Sequence, residues 1–304
     1  LSPCGNDTDN LVLSITTAAI ADAGPDDIIC EGDVYTVPSA FAANYTSMLW
    51  TTTGTGTFAN NGTVSPTYTP SAADIAAGSV ELILTSSDIS PCADGVHTMI
   101  LSITPVPTVS AGPDSIICEG NSFTVPAATA TNYTTITWTS SGTGTLLNNG
   151  MLTPTYIPSA ADVAAGGVQL TITVNGMSPC NPVTDSLYLT ITPLPVVYAG
   201  PDSVICEGNN FTVNGASAIN YSNINWTTTG TGTYLNNGTL SPTYLPSAGD
   251  IASGGVTLIL TGNGLSPCGN VSDSMYLAIT PLPIASAGMD DTICEGDLFT
   301  ISTS

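Results

Sequence analysis

The sequence predicts an all-β protein that is built as a tandem array of small β-sandwich modules. The phrase "AGPDSIICEGNSFTV" begins at Ala111, and close copies begin at Ala23, Ala199 and Ala287, so the chain repeats every 88 residues without a gap. Within each repeat, apolar and polar residues alternate in short runs bounded by Gly, Pro and Asn, which is typical of strands with one buried face. A repeat of this length is long enough to form a module with its own core.

The repeats divide the 304 residues into three complete modules and two partial ones. We expect the complete modules at 23–110, 111–198 and 199–286. Residues 1–22 match the end of a repeat, because "LSPCGNDTDNLVLSIT" parallels a stretch near the end of the third repeat, and residues 287–304 match the start of one. We therefore expect the C-terminal part of a preceding repeat at 1–22, the N-terminal part of a following repeat at 287–304, and a longer array around both.

In the second repeat, the alternation predicts the strands in order. Phe123 and Val125 share one face of "NSFTVPA", and Ile136 and Trp138 share one face of "TTITWTS". Two longer strands bury one face each through Val168, Leu170, Ile172 and Val174, and through Leu187, Leu189 and Ile191. The Asn149-Gly150 step between two such runs predicts a hairpin. This gives about seven strands in each module.

One short helix interrupts the strands. In "PSAADVAAGG", Ser159 stands three residues before Asp162 in a capping-box arrangement, and Gly166 can end the turn. A helical turn at this place is common in Greek-key sandwiches, so we expect each module to be an immunoglobulin-like or PKD-like sandwich of seven short strands. The linker at 192–202 carries several Pro residues and no Gly-Ser run, which predicts a stiff connection.

The charge of the chain excludes several partners. The sequence has 23 Asp plus Glu and no Lys or Arg, which gives a formal net charge of −23. Nucleic acids and anionic lipid surfaces attract basic proteins, so neither is an expected partner. No apolar run approaches the roughly 20 residues that a spanning helix needs, so we expect no direct membrane insertion by this part of the protein.

Several motifs together carry a resemblance to a known class of proteins. The repeat contains "AGPDxxICEG", a Trp-bearing strand, "GTGT", "PTYxPSAADIAAG", "SPC" and a final strand before "TPxP". This pattern resembles the tandem Ig-like and PKD-like repeats of giant Bacteroidota cell-surface proteins, including gliding-motility adhesins and other type IX secretion cargo, and the resemblance covers the whole chain. It implies export across the outer membrane and display at the cell surface.

Eight cysteines recur at regular spacing, which predicts disulfides formed in an oxidising compartment. They are Cys4, Cys30, Cys92, Cys118, Cys180, Cys206, Cys268 and Cys294, with spacings that alternate between 26 and 62 residues.

The cysteine pairing follows from the expected topology. In an Ig-like module Cys118 precedes the second strand and Cys180 follows the sixth, so a strand of about 33 Å separates them, whereas a disulfide spans roughly 6 Å between Cα atoms. We therefore expect disulfides between modules, joining Cys30 to Cys180 and Cys118 to Cys268, with the other four cysteines pairing beyond this sequence. Pairing of Cys30 with Cys92, or of Cys92 with Cys118, remains an open alternative.

No catalytic group recurs along the chain. A Ser or Cys nucleophile needs a base, yet no His, Lys or Arg recurs, and the recurring acids stand at turns rather than in a cleft. His97 occupies the position that Asp9, Asp185 and Asp273 occupy elsewhere, so we interpret it as a surface replacement. We expect a protein without enzymatic activity.

Recurring acidic residues form a candidate calcium site at the module junctions. We expect the loop that holds Asp185 to face the acids of the previous module, because oxygen ligands from two modules would suit Ca²⁺. The alternative is that these acids cap helices, shape turns or face solvent. The candidate ligands are Asp26, Glu31, Asp74, Asp114, Glu119, Asp162, Asp185, Asp202, Glu207, Asp250 and Asp273.

Five segments read Asp, then Ser or Thr, then an aliphatic residue or Met. They resemble the O-glycan acceptor motif of exported Bacteroidota proteins, which implies that their hydroxyls carry glycans. The candidate residues are Ser115, Ser186, Ser203, Ser274 and Thr292.

The expected function is mechanical. We expect a stalk or fibre region of a secreted bacterial adhesin or filament, with other copies or chains of the same fibre as partners. The competing interpretation is a binding module that contacts surface glycans or abiotic surfaces through Tyr45, Tyr133 and Tyr221, since aromatic residues at loop tips favour sugar stacking. A self-assembling coat or sheath is a third interpretation.

Overall fold

A computed structural model describes residues 4–5, 7–88 and 92–300 of the chain. The three complete repeats form three all-β sandwich modules, as predicted. Within the described residues, each repeat has nine strands and one short helix.

The elements of the first repeat are β1 (Ile20–Asp22), β2 (Asp27–Cys30), β3 (Tyr35–Thr36), β4 (Phe41–Ala43), β5 (Ser47–Thr52), β6 (Thr57–Ala59), β7 (Thr67–Thr69), α1 (Ala72–Ala77), β8 (Ser79–Ser87) and β9 (Gly95–Thr104). Those of the second are β10 (Thr108–Ser110), β11 (Ser115–Cys118), β12 (Phe123–Thr124), β13 (Thr129–Thr131), β14 (Tyr133–Ser140), β15 (Thr145–Leu147), β16 (Thr155–Ile157), α2 (Ala160–Ala165), β17 (Gly167–Gly176) and β18 (Val183–Thr192). Those of the third are β19 (Val196–Tyr198), β20 (Ser203–Cys206), β21 (Phe211–Thr212), β22 (Ser217–Ile219), β23 (Tyr221–Thr228), β24 (Thr233–Leu235), β25 (Thr243–Leu245), α3 (Ala248–Ala252), β26 (Gly255–Gly264) and β27 (Val271–Thr280).

The same three sheets recur in every module. In the first, a four-stranded sheet has the order β2-β9-β8-β5, a three-stranded sheet has the order β3-β7-β6, and β1 pairs with β4. The strand β2 runs parallel to β9, and the other pairs are antiparallel. The two larger sheets hold seven strands, which is the number predicted. The additional pair escaped prediction because three-residue strands such as β1, with one half-buried residue, are too short to show alternation.

The module boundaries lie slightly before the predicted ones. The strand β10 precedes residue 111, yet it pairs with β13 inside the second repeat. β19 likewise precedes residue 199 and pairs with β22. Each module therefore begins a few residues before the phrase by which the repeats were aligned.

A mixed aromatic and aliphatic core fills the sandwich. In the first module, Trp50 of β5 and Tyr68 of β7 are buried with Leu82, Leu84 and Leu101, so both larger sheets contribute to one core. The third module has the equivalent cluster around Trp226 and Tyr244, including residues of β26 and β27. The predicted buried faces of the second repeat are confirmed, since Phe123, Val125, Ile136, Trp138 and the alternating aliphatic residues of β17 and β18 are all buried.

The predicted helix is confirmed at its position. Ser159 is the N-cap of α2 and accepts a hydrogen bond from the Asp162 backbone N–H, while the Asp162 carboxylate accepts one from the Ser159 N–H at 2.8 Å. Gly166 ends the helix with φ 79°, a left-handed conformation that suits glycine. The predicted hairpin is present as the antiparallel pair β15–β16, but its loop runs from 148 to 154 rather than over two residues.

The chain separates into two compact units. Unit 1 comprises Leu1–Asp114, Phe123–Ile157 and Gln169–Tyr188, and unit 2 comprises Ser115–Ser122, Pro158–Val168 and Leu189–Ser304. Unit 1 thus contains the first repeat and most of the second, and unit 2 contains the third repeat with the remaining segments of the second.

The segments outside the three modules show no strand in their described residues. Leu11 is 94% exposed and Ile15 is 88% exposed, although the matching residues of complete repeats lie in β9, β18 and β27. Among the described residues, no helix has the length and hydrophobicity that a membrane crossing requires.

Candidate functional site

Disulfide bonds join residues of consecutive repeats. Cys30 is bonded to Cys180 within unit 1, and Cys118 is bonded to Cys268 within unit 2. In both bonds the Cα atoms are 5.0 Å apart, and the partners are 150 residues apart in sequence. The structure therefore contains the pairing between modules, and not the pairing of Cys30 with Cys92 or of Cys92 with Cys118.

Each disulfide is part of a small polar site. We call the site in unit 1 the first junction, consisting of Cys30, Glu31, Thr104, Val106, Ser178 and Cys180. The site in unit 2 is the second junction, consisting of Cys118, Glu119, Thr192, Leu194, Ser266 and Cys268. The two sites occupy equivalent positions of the repeat, so their contacts can be compared atom by atom.

A threonine hydroxyl connects the repeats at each junction. Thr104 ends β9, is 6% exposed, and donates from Oγ1 to the Ser178 carbonyl at 3.4 Å. The Sγ atom of Cys180 lies 3.4 Å from the Thr104 carbonyl oxygen, a close contact without a proton because this sulfur belongs to a disulfide. Thr192 repeats the hydroxyl bond with the Ser266 carbonyl at 3.5 Å.

A glutamate fixes the linker at each junction. The Glu31 backbone N–H donates to the Thr104 carbonyl at 2.8 Å, and Glu31 Oε2 accepts from the Val106 N–H of the linker at 3.1 Å. Glu119 does the same with the Leu194 N–H at 3.0 Å. These bonds satisfy backbone groups of a linker that proline already restricts, so the linker is held at several points.

Four cysteines are free thiols. Cys4, Cys206 and Cys294 are exposed, and Cys92 is half-buried with its Sγ atom 3.6 Å from the Thr16 carbonyl oxygen. The prediction that they pair with cysteines beyond this sequence stays a prediction.

Asp74, a predicted calcium ligand, is buried inside the first module. Its Oδ1 accepts a hydrogen bond from the Thr55 N–H at 3.0 Å, and its Oδ2 accepts from the Gly56 N–H at 2.9 Å. The same Oδ2 accepts from the Tyr68 hydroxyl at 2.8 Å and from the Ser71 N–H at 2.9 Å. With four donors around it and 3% exposure, this carboxylate joins a loop, a strand and a helix.

The hydrogen bonds determine the charge of this group. Burial by itself raises the pKa of Asp74, but the hydrogen bonds from backbone and hydroxyl groups outweigh burial and lower this pKa to about 2. Burial also raises the pKa of the Tyr68 hydroxyl, so that the hydroxyl remains a donor. In the third module, the pKa of Asp250 is lowered by hydrogen bonds of the same kind, again against the effect of burial.

The sequence motif "GTGT" is explained by this network, which sequence reasoning missed. A Cβ on Gly54 would lie 2.1 Å from Asp74 Oδ1, and a Cβ on Gly56 would lie 2.4 Å from the Tyr68 hydroxyl. The invariance of the two glycines and the Tyr across the three repeats was the available signal, but only the fold shows that they meet at one carboxylate.

The other predicted calcium ligands also bind backbone N–H groups. The acid before the second strand accepts from the last strand: Asp26 from the Ile100 N–H at 2.7 Å, and Asp114 and Asp202 from their equivalents at the same distance. The prediction that Asp185 lies in a loop is wrong, because Asp185 and Asp273 lie in β18 and β27. They accept from the Ala111 and Ala199 N–H groups at 2.8 Å.

Within the part of the chain that the structure describes, no three acidic, His or Cys side chains come close enough to hold a metal ion. The recurring acids are thus distributed over separate backbone contacts, which is the alternative interpretation that sequence analysis left open. Calcium binding stays a prediction.

His97 takes over the role of the aspartates. Its Nδ1 accepts a hydrogen bond from the buried Ala23 N–H at 2.9 Å, as Asp185 and Asp273 do in the other repeats. His97 also lies 3.6 Å from the Asp22 carboxylate, whereas the other repeats have Ser110 and Tyr198 at that position. The replacement therefore occurs in the repeat where a second acid would face the first.

An open groove of about 520 Å³ lies beside Tyr133 in unit 1. It is lined by Tyr133, Thr134, Thr135, Ile136, Gly150, Met151 and Leu152. Tyr133 is 39% exposed and Met151 is 59% exposed, so the groove offers both aromatic and aliphatic surface.

The predicted O-glycosylation residues are placed on or beside strands. Ser115 and Ser203 begin β11 and β20, while Ser186 and Ser274 lie within β18 and β27. Thr292 is exposed in the segment after the third module. The Ser186 hydroxyl accepts a hydrogen bond from Gln169 Nε2 at 2.8 Å. Glycosylation stays a prediction.

Comparison with solved structures gives the same fold. A three-Ig structure of titin domains I67–I69, an E-to-A mutated variant, matches with a TM-score of 0.53 and 11% identity, covering 87% of this chain and 99% of that chain. The I-band fragment I67–I69 from titin matches with a TM-score of 0.53 and 12% identity, covering 88% and 100%. Mouse cadherin-23 EC22–24 gives a lower TM-score of 0.43 with 12% identity, covering 87% and 99%.

No family model and no curated protein matches the sequence. At 11–12% identity, the likeness to titin shows the fold alone. The chain is therefore an all-β protein of three tandem immunoglobulin-like sandwich modules with disulfides between consecutive repeats.

Proposed function

We propose that this chain is a structural region of an extracellular fibre or stalk, in which disulfides between repeats carry mechanical load. The observation that supports the proposal most strongly is the identity of the two junctions. Each has a disulfide, a threonine hydroxyl bond and a glutamate contact to the linker at equivalent positions. Disulfides persist in oxidising environments outside the cytosol, which supports an extracellular location.

The proposed setting is the surface of a bacterium. The sequence motifs resemble repeats of giant Bacteroidota adhesins, in which such repeats act as stalks. The partners that we propose are other copies or chains of the same fibre.

Force spectroscopy on the full chain tests the mechanical role. In the oxidised protein, the disulfides prevent full extension of residues 30–268, so the contour length of an unfolded 304-residue chain should be reached only with a reductant. Cys206→Ser is the matched control, because Cys206 is a free thiol and its loss should change neither trace. Full extension of the oxidised chain at the force that extends the reduced chain would contradict the proposal.

The groove beside Tyr133 favours a second candidate function, the binding of surface glycans. Exposed aromatic rings stack on sugars, and the groove places Met151 next to such a ring. A glycan array with the intact protein tests this candidate. Saturable binding that Tyr133→Ala removes and Tyr188→Ala retains would support it, since Tyr188 is similarly exposed but does not line the groove.

A further inference from the structure

The end of the third repeat carries the groups that form half of each junction. Cys206 ends β20 as its equivalents end β2 and β11, yet Cys206 is an exposed free thiol. The Glu207 N–H donates to the Thr280 carbonyl at 2.8 Å, the same bond that Glu31 and Glu119 make. The backbone of this half-junction is therefore already in the arrangement that the two complete junctions have.

The threonine of this end differs from its equivalents only in its hydroxyl partner. Thr104 and Thr192 are buried and donate to a carbonyl of the following repeat. Thr280 is exposed and donates instead to the Ile205 carbonyl of its own module at 3.1 Å. A hydroxyl can rotate about its Cα–Cβ bond, so this group can exchange one carbonyl for the other.

The complementary half of a junction lies in the first repeat. Cys92 follows Ser-Pro in the sequence, as Cys180 and Cys268 do, and it is a half-buried free thiol. Its Sγ atom lies 3.6 Å from the Thr16 carbonyl oxygen, and Cys180 makes the equivalent contact with Thr104 at 3.4 Å. Each chain thus presents one free half-junction of either kind.

We propose that the surface formed by Cys206, Glu207 and Thr280 docks the Cys92 region of a second copy of this chain. The surface continues the chemistry of the two junctions, in which the same residue types already bind a Ser-Pro-Cys segment. Repetition of this contact joins copies head to tail in an open series, because the two halves are different surfaces. The inference names a partner for the proposed fibre and rests on that function for its purpose.

Docking requires one local rearrangement. In the second copy, the segment around Thr16 lies where Thr280 of the first copy must lie. This segment forms no strand among its described residues, and Leu11 and Ile15 are almost fully exposed. Few buried contacts hold it, so its displacement costs little compared with the junction that replaces it.

The covalent step needs a disulfide donor, which we take to be glutathione disulfide. The Cys92 thiolate attacks one glutathione sulfur, forms a mixed disulfide and releases one glutathione thiolate. In the docked pair, the Cys206 thiolate then attacks the Cys92 sulfur, forms the Cys206–Cys92 bond and releases the second glutathione. Both cysteines are oxidised, the two glutathione units are reduced, and the two thiol protons pass to solvent.

Complementation of two variants tests the proposal. The full chain is prepared with Cys4→Ser and Cys294→Ser, and further with either Cys92→Ser or Cys206→Ser. With glutathione disulfide, the parent should give a ladder of covalent multimers on non-reducing gels. Each further variant alone should stay monomeric, and their mixture should stop at the dimer, linked Cys206 to Cys92 by peptide mapping.

Other outcomes overturn the proposal. A Cys206–Cys206 dimer, multimers of either single-half variant, or a parent that stays monomeric would each show that the two halves do not recognise each other. A chain with all four native thiols provides the internal comparison, since Cys4 also follows Ser-Pro but lies outside the folded modules. Equal use of Cys4 and Cys92 would likewise overturn docking. Force traces of the monomer report separately on the proposed function, because they depend on Cys30–Cys180 and Cys118–Cys268.

Discussion

The Tyr68 hydroxyl donates a hydrogen bond to the Asp74 carboxylate at 2.8 Å inside the first module. The third module repeats this contact between Tyr244 and Asp250 at 2.9 Å. Both tyrosines are fully buried, and both aspartates are 3% exposed. A carboxylate in this setting is stable only while its donors remain in place, so the network ties the fold of a module to one ionised group.

Removal of the carboxylate should destabilise the module strongly. Asp74→Ala leaves three backbone N–H groups and the Tyr68 hydroxyl without their acceptor, so we expect a loss of about 3 kcal/mol or more. Hydrogen exchange of the first module measures this loss without assuming that the three modules unfold together. Asp33→Ala is the control, because Asp33 is exposed, and a similar loss in both variants would contradict the network.

The same carboxylate predicts acid sensitivity. The pKa of Asp74 in the folded protein is about 2, below the value of about 3.9 for an unfolded Asp. The stability that depends on its charge is therefore complete above about pH 4 and is lost as the pH falls towards 2. Urea midpoints of the first module should fall over this range. They should fall less in Asp74→Asn, and equal slopes in the two proteins would refute the assignment.

His97 is predicted to be the acceptor for a buried N–H group. His97→Ala leaves the Ala23 N–H unsatisfied and should cost about 1–3 kcal/mol. His97→Asp supplies an acceptor but places it beside Asp22, so we expect a smaller loss that Asp22→Ser restores. Thermal unfolding of the four proteins checks this order, and a neutral His97→Ala would contradict it.

Ser86 is predicted to be a weak point of the first module. Its Oγ is buried and has no hydrogen-bond partner within the described structure, whereas the equivalent residues are Val174 and Gly262. Ser86→Ala removes the unsatisfied hydroxyl and should stabilise the module by about 1 kcal/mol. Ser87→Ala provides the neighbouring comparison, since the Ser87 hydroxyl donates to Asp94. Destabilisation by Ser86→Ala would show that the hydroxyl has a partner.

Much of the fold follows from local pattern. The alternation around Leu170 and Leu189 and the cap at Ser159 are encoded within ten residues of each other, and the structure has them where predicted. The short pair β1–β4 and the convergence of Gly54, Gly56 and Tyr68 on Asp74 were not predictable, because they depend on contacts between distant segments.

The candidate site divides in the same way. The pairing of Cys30 with Cys180 could be argued from strand length alone, because a strand separates the two cysteine positions of a module. The acidic residues misled the analysis, since recurrence at turns suits calcium ligands and backbone acceptors equally. Only coordinates show that Asp26 and Asp185 bind different N–H groups.

Disulfide mapping of the intact protein tests the central claim, which is that consecutive repeats are covalently joined. The oxidised chain is alkylated to block free thiols and digested with proteases other than trypsin, because it contains no Lys or Arg. We predict linked peptides that contain Cys30 with Cys180 and Cys118 with Cys268, and alkylated Cys92 and Cys206. Linked peptides that join Cys30 to Cys92 or Cys118 to Cys180, within single repeats, would contradict the account.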